Sequence, residues 1–141
     1  MTTLVVEDLV TTLEQNQEIE RRLNIERVRL YLLKHDITTG QLTLSVKRNG
    51  VEIGSSTIDI ADISAATYFH GYVSFVFDNP LVVNRGDVVF ELSSSGYTYS
   101  SGSYIAWVQE YENITNKIDV EPETDFQYPL TCQIWEYSER I

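Results

Sequence analysis

Between Tyr68 and Leu92 two runs carry apolar residues at every second position, and that period restricts the chain more than any other feature. Val73, Phe75 and Phe77 alternate with Tyr72, Ser74 and Val76, and Val88, Phe90 and Leu92 resume the alternation after a break. Successive side chains of a strand point to opposite faces, so such a run offers one apolar face to a core, whereas a helix needs a period near 3.6. Asp78-Asn79-Pro80 is expected to stop the first strand, because proline has no amide hydrogen for a ladder and restricts the residue before it. Asn84-Arg85-Gly86-Asp87 reads as a turn into the second strand. This pair is expected to sit in the core of an all-β domain.

The same period runs through most of the chain. Val28, Leu30 and Leu32 oppose Arg27, Arg29 and Tyr31, and Leu42, Leu44 and Val46 oppose Thr43, Ser45 and Lys47. Asn49-Gly50 then predicts a two-residue hairpin, since both residues tolerate the positive φ of a type I′ turn. In the return strand the phase changes between Ile53 and Ile58, so Gly54, Ser55 and Ser56 mark a bulge. Ala61 to Thr67 reads as a loop or one helical turn, Ser93 to Gly102 as a polar loop, and Asn113 to Tyr128 as a long acidic loop. Ile105 and Trp107 alternate with Tyr104, Ala106 and Val108, and Leu130, Cys132 and Ile134 form a closing strand.

Thr12 to Leu23 contains good helix formers, and Thr12 with Gln15 fits a capping box. Leu13, Ile19 and Leu23 are too sparse for a helical stripe, so an extended strand or arm is the favoured reading. The resulting expectation is an all-β β-sandwich of about eight short antiparallel strands, residues 15–141, preceded by an N-terminal arm, residues 1–14. Strands that switch between the sheets make it a jelly roll.

Composition narrows the function. A chain of 141 residues is one domain, able to bury about two thirds of its unfolded surface. With 21 acidic against 10 basic residues, its net charge of −11 repels phosphate backbones, so nucleic acid is not an expected partner. No apolar run approaches the roughly 20 residues that cross a bilayer, and Met1 to Val10 carries Glu7 and Asp8 with no basic start, unlike a signal peptide. Cys132 reads as a small buried hydrophobe. His35 and His70 fall at a strand end or loop, and neither is an expected partner for a thiol nucleophile.

The order Ile25-Glu-Arg-Val-Arg-Leu-Tyr-Leu32, Leu42-Thr-Leu-Ser-Val46, Val73-Ser-Phe-Val-Phe-Asp-Asn-Pro80, Val83-Asn-Arg-Gly-Asp-Val-Val-Phe90, Tyr104-Ile-Ala-Trp107 and Cys132-Gln-Ile-Trp135 resembles a jelly-roll domain. That domain serves as a surface or binding module in secreted bacterial proteins and in phage virion proteins. The likeness runs from Gln15 onward and rests on structural motifs. Secreted members carry a leader and lie within longer chains, so the resemblance implies the phage-like branch, whose members are head decoration, tail or fibre components.

Candidate sites follow. Tyr97, Tyr99, Tyr104 and Trp107 surround a Gly/Ser-rich loop. They read either as a glycan platform, with the loop tyrosines as the better ligand groups, or as one strand with Trp107 in the core and Tyr104 at an interface. Asp59 with Asp62, or Glu121, Glu123 and Asp125, are the oxygen ligands a calcium ion would use, though a solvated acidic surface is the expectation. Neither metal, cofactor nor enzymatic activity is expected, and the Asn113-Ile-Thr115 sequon is expected to be idle. In the arm, Leu4, Val5, Val6, Leu9, Val10 and Leu13 have few partners inside the domain and are expected to contact a neighbouring subunit. Removing residues 1–12 is then expected to leave a folded domain. The expected function is a non-enzymatic virion structural protein, a homo-oligomeric head decoration or cement subunit binding capsid neighbours and assembled in a host cytoplasm. The alternatives are a tail or fibre component and a carbohydrate-binding module.

Overall fold

The computed structural model describes residues 5–64, 66–109, 125–126 and 132–136. These form ten strands: β1 (Val5–Asp8), β2 (Thr12–Ile19), β3 (Leu23–His35), β4 (Gln41–Arg48), β5 (Val51–Asp59), β6 (Tyr68–Val83), β7 (Gly86–Ser95), β8 (Tyr104–Gln109), β9 (Asp125–Phe126) and β10 (Cys132–Glu136). A single 3-10 turn, Ile60–Asp62, follows β5. Two antiparallel sheets result, consistent with a β-sandwich. One runs β1-β8-β3-β10-β9 with β6 also on β3, and the other runs β2-β7-β4-β5.

The pairing is nested. β1 lies along β8, β2 along β7 and β3 along β6, so residues 5–35 and 68–109 form one long antiparallel ribbon closed by the β4–β5 hairpin. The ribbon changes sheet where Ile19 pairs with Gly86 and Leu23 with Val83. Residues 20–22 and 84–85 make that crossing side by side. The two alternating runs of Tyr68–Leu92 are therefore not partners. β6 and β7 belong to different sheets, and Phe75 and Phe90 enter one core that also holds Leu30, Leu44 and Trp107.

Pro80 does not stop the strand. Arg27 pairs with Val76 and Ile25 with Leu81, so residues 77–80 are looped out against Glu26. Proline's missing N–H falls where the ladder is already broken, and β6 continues to Val83. The β4–β5 turn is as expected, with φ 53° at Asn49 and 78° at Gly50. The bulge in β5 falls at Ile53, because Val46 pairs with Gly54 and Lys47 with Glu52. A Cβ on Gly54 would meet the methyl groups of Leu81, which packs over β5 there and would have to move to admit a side chain.

β2 is a strand whose core-facing positions are Leu13, Gln15, Gln17 and Ile19. The two glutamines explain the sparse apolar pattern. Gln15 Nε2 donates to Asn16 O at 2.9 Å and to Gln17 Oε1 at 3.4 Å, while Gln17 Nε2 is a buried donor with no acceptor among the described residues.

Residues 5–14 are built into both sheets, which corrects the picture of a separable arm. Leu9 is fully buried and Leu13 nearly so, because the chain crosses the core as it passes from β1 to β2. Leu9 is thus closed to a partner, and deletion of residues 1–12 removes a strand together with a core side chain. Leu9→Ala should cost about 2–5 kcal/mol in urea unfolding, whereas Val10→Ser, at a position 60% exposed, should lie within about 0.5 kcal/mol of the parent.

Lys34 also faces inward and is fully buried; its Nζ donates to the carbonyl of Ser64. Burial disfavours the charged form and lowers its pKa below the ordinary 10.5. A lowered lysine pKa penalises the folded state while the group is charged, and the penalty lifts as pH rises through the folded value toward the unfolded one. Lys34→Met should be more stable than the parent at pH 7 by on the order of 1 kcal/mol. Chemical denaturation across a pH series should show that advantage shrinking toward pH 10.5.

Candidate functional site: the aromatic outer face

On the solvent side of the six-stranded sheet, register brings together residues far apart in the chain. Tyr31 pairs with Tyr72, Leu33 with His70 and His35 with Tyr68, while on the other edge of β3 Leu33 meets Ala106 and His35 meets Tyr104. Paired residues share a face, so three short alternations, 31-33-35, 68-70-72 and 104-106-108, merge into one surface. Leu33, Ala106 and Val108 form its buried floor, with Tyr31 and Tyr104 packed against them.

The rings touch in sequence. Tyr72 meets Tyr31 edge-on at 5.0 Å, and Tyr31 stacks loosely on His70 at 6.0 Å. Tyr68 stands edge-on to both His70 and His35, and His35 lies parallel to Tyr104 at 5.2 Å with an interplanar angle of 12°. Tyr99 adjoins Tyr104 at 6.1 Å, and the Arg29 guanidinium caps the Tyr72 ring at 4.7 Å. Two hydrogen bonds fix the imidazoles. Tyr31 OH and His70 Nδ1 are 2.9 Å apart, and His35 Nδ1 donates to Gly102 O at 3.1 Å, which places the proton on that nitrogen.

Charge separates the two outer faces. From Arg27 to His35 and from Tyr68 to Val76 there is no carboxylate, in a chain of net charge −11. The four-stranded sheet instead shows a solvated polar exterior. Lys47 Nζ and Glu91 Oε1 pair at 3.0 Å, Thr43 and Thr57 hydroxyls at 2.8 Å, and Gln41 donates to Asp59 at 3.0 Å. The hydrogen bond to Glu91 raises the Lys47 pKa.

The expected aromatic cluster divides. Trp107 is fully buried in the core, so it belongs to no exposed platform. Tyr104 lies on the opposite face, within the ring band. Tyr97 is a structural pin. Its hydroxyl donates to Leu9 O at 2.8 Å and accepts from the Ile105 amide at 2.9 Å, just beyond the last β1–β8 pair, Asp8 with Ala106. Tyr99 OH donates to Asp8 Oδ2 at 3.0 Å. Of the proposed partner-contact residues, Val6 and Val10 are 37% and 60% exposed, Val5 pairs through its backbone with Gln109, and Leu4 lies outside the described residues.

The acidic candidates do not assemble. Asp62 lines a cavity of about 260 Å³ with Ile58, Ile63, Tyr72, Val73 and Ser74, in the seam between β5 and β6. Glu121, Glu123 and the sequon at 113–115 lie outside the described residues, and Asp125 is described only as backbone paired with Gln133. Cys132 pairs with Leu30 in β10. Among the described residues no three His, Cys, Asp or Glu side chains converge, and no helix is long and apolar enough to cross a membrane. Compared with known protein families, curated proteins and solved structures, the chain matches none.

Burial and the Asp8 charge raise the Tyr97 pKa, and the hydrogen bond from Ile105 opposes them. A raised tyrosine pKa stabilises the fold below the unfolded value near 10, and that stability is lost as pH climbs above it. Tyr97→Phe should cost about 1–2 kcal/mol at pH 7 by leaving the Leu9 carbonyl and Ile105 amide unpaired. Thermal melting above pH 10 should then fall less steeply for the variant than for the parent.

Proposed function

We propose that the chain is a non-enzymatic structural protein that joins protein neighbours through the outer face of its six-stranded sheet, as a head decoration or cement subunit does on a virion. The observation that carries this reading is the carboxylate-free ring band on β3, β6 and β8. Aromatic side chains with polar tips and arginine are the groups enriched in the buried centres of protein interfaces. The acidic remainder would keep the unbound surface soluble.

The fold supports the same reading at a finer level. Nested pairing of β1 with β8, β2 with β7, β3 with β6 and β4 with β5, divided between two sheets, supports reading the sandwich as a jelly roll, the architecture of many viral shell domains. A tail or fibre component would use the same face, and the particle on which it assembles in a host cytoplasm would differ. A carbohydrate-binding role has less support, since Trp107 is withdrawn into the core and Tyr68, the most exposed ring named in the band, stands edge-on to both His35 and His70 instead of offering a flat platform.

Tyr68 and His70 are the exposed members of the band, so Tyr68→Ser/His70→Ser should leave the melting temperature within a few degrees. Co-sedimentation with virion heads assembled without the protein should be saturable for the parent and at least tenfold weaker for the double variant. Parent protein that ignores heads but sediments with tails or fibres would move the assignment to those parts. Saturable binding on a glycan array with no binding to any particle would overturn it.

A further inference from the structure

We infer that β6 is a docking edge and that it takes β6 of a second copy of this chain, antiparallel, so that the six-stranded sheet continues across a two-fold axis. Every open sheet has edges, and proteins protect them with charge, shortness, proline or bulges. The other edges here are protected in those ways. β1 has four residues and ends in Glu7-Asp8, and β9 has two residues. β2 exposes Glu14, Asn16 and Glu18, and β5 is bent by the bulge at Ile53 and carries Glu52 and Asp59.

β6 is different. It pairs with β3 along one side, and among the described residues no strand pairs with the other. Its one irregularity, residues 77–80, lies toward its end. From Tyr68 to Val76 the register is unbroken, and the stretch contains no Asp, Glu, Lys or Arg and no proline. Exposed apolar side chains gather on the same strand: Tyr68, Val76 and Val82 are 51%, 55% and 45% exposed, half of the six large exposed hydrophobics among the described residues. The cavity beside Tyr72, Val73 and Ser74 shows that the seam next to this edge is open.

The stretch is complementary to itself. With the axis at Tyr72, Tyr68 lies opposite Val76 of the partner subunit and His70 opposite Ser74 of the partner subunit, an aromatic–β-branched pair and a polar pair on the outer face. Two molecules of net charge −11 repel over most of their surfaces, whereas the side chains paired along Tyr68 to Val76 include no Asp, Glu, Lys or Arg. Joining two copies doubles the ring band into one continuous surface. The dimer goes beyond the adhesive reading and does not depend on it. A protein that binds heads as a monomer would overturn the dimer and leave that reading standing.

Sedimentation equilibrium of the full chain should give twice the 16.2 kDa chain mass. His70→Glu/Ser74→Glu and His70→Lys/Ser74→Lys each set like charges opposite one another and should be monomers, with dissociation constants raised at least tenfold. An equimolar mixture of the two variants should recover the doubled mass. A monomeric parent, variants that remain dimers, or a mixture that stays monomeric would overturn the proposal. A second measurement does not depend on those variants folding. Across the axis the two Cα atoms at position 72 would stand about 4.5–5.5 Å apart, within reach of a disulfide. Tyr72→Cys in a Cys132→Ser background should therefore oxidise to a covalent dimer, and its failure to do so would overturn the edge pairing.

Discussion

The pairing of β3 with β6 is the contact on which the rest of the structure depends. β3 has thirteen residues and is paired along both edges, with β6 on one side and with β8 and β10 sharing the other. Its inner side chains, Ile25, Val28, Leu30 and Leu32, are all fully buried, and its outer ones, Arg29, Tyr31, Leu33 and His35, anchor the ring band. One strand thus supplies the centre of the core and the centre of the candidate surface. From Val28 to His35 alternation is what lets it serve both, because neighbouring residues face opposite ways.

The nested ribbon also explains the hydrogen-bonding devices at its corners. Where β1 leaves β8 to cross toward the other sheet, the ladder ends and backbone groups lose their partners. Tyr97 supplies both a donor and an acceptor at that point, and Tyr99 holds the Asp8 carboxylate beside it. A loop that looks like a ligand platform in one dimension is therefore the fastening of a corner. The buried glutamines of β2 and the buried Lys34 are the costs left in this arrangement, since among the described residues the Gln17 amide nitrogen meets no acceptor and Lys34 Nζ donates to the Ser64 carbonyl.

Much of the fold was legible because it is local. The Asn49-Gly50 hairpin, the 3-10 turn after β5 and the alternation of β3, β4, β6, β7 and β8 all depend on residues within a few positions of each other. The misjudged places depend on distant partners. Pro80 looked like a stop until its position opposite Glu26 showed that no ladder bond was there to lose. Leu9 looked unpartnered because its neighbours, such as Ile105, are nearly a hundred residues away. The candidate surface was half visible. Tyr99 and Tyr104 stand beside a glycine-rich loop, while Tyr31 and Tyr72 fall at outer positions of separate strands and His35 and His70 at a strand end or loop.

The alternation of apolar residues by itself determined that the chain makes strands, which side chains face inward, and that the strands must stack as sheets to bury them. Which strands pair, and in which register, only the tertiary structure decided. Pairing energy comes from contacts between segments remote in the chain, and a period of two is the same whether the partner lies ten residues away or a hundred. That choice of register is what brings Tyr31, Tyr72, His70, Tyr68, His35 and Tyr104 onto one face and leaves β6 at its edge.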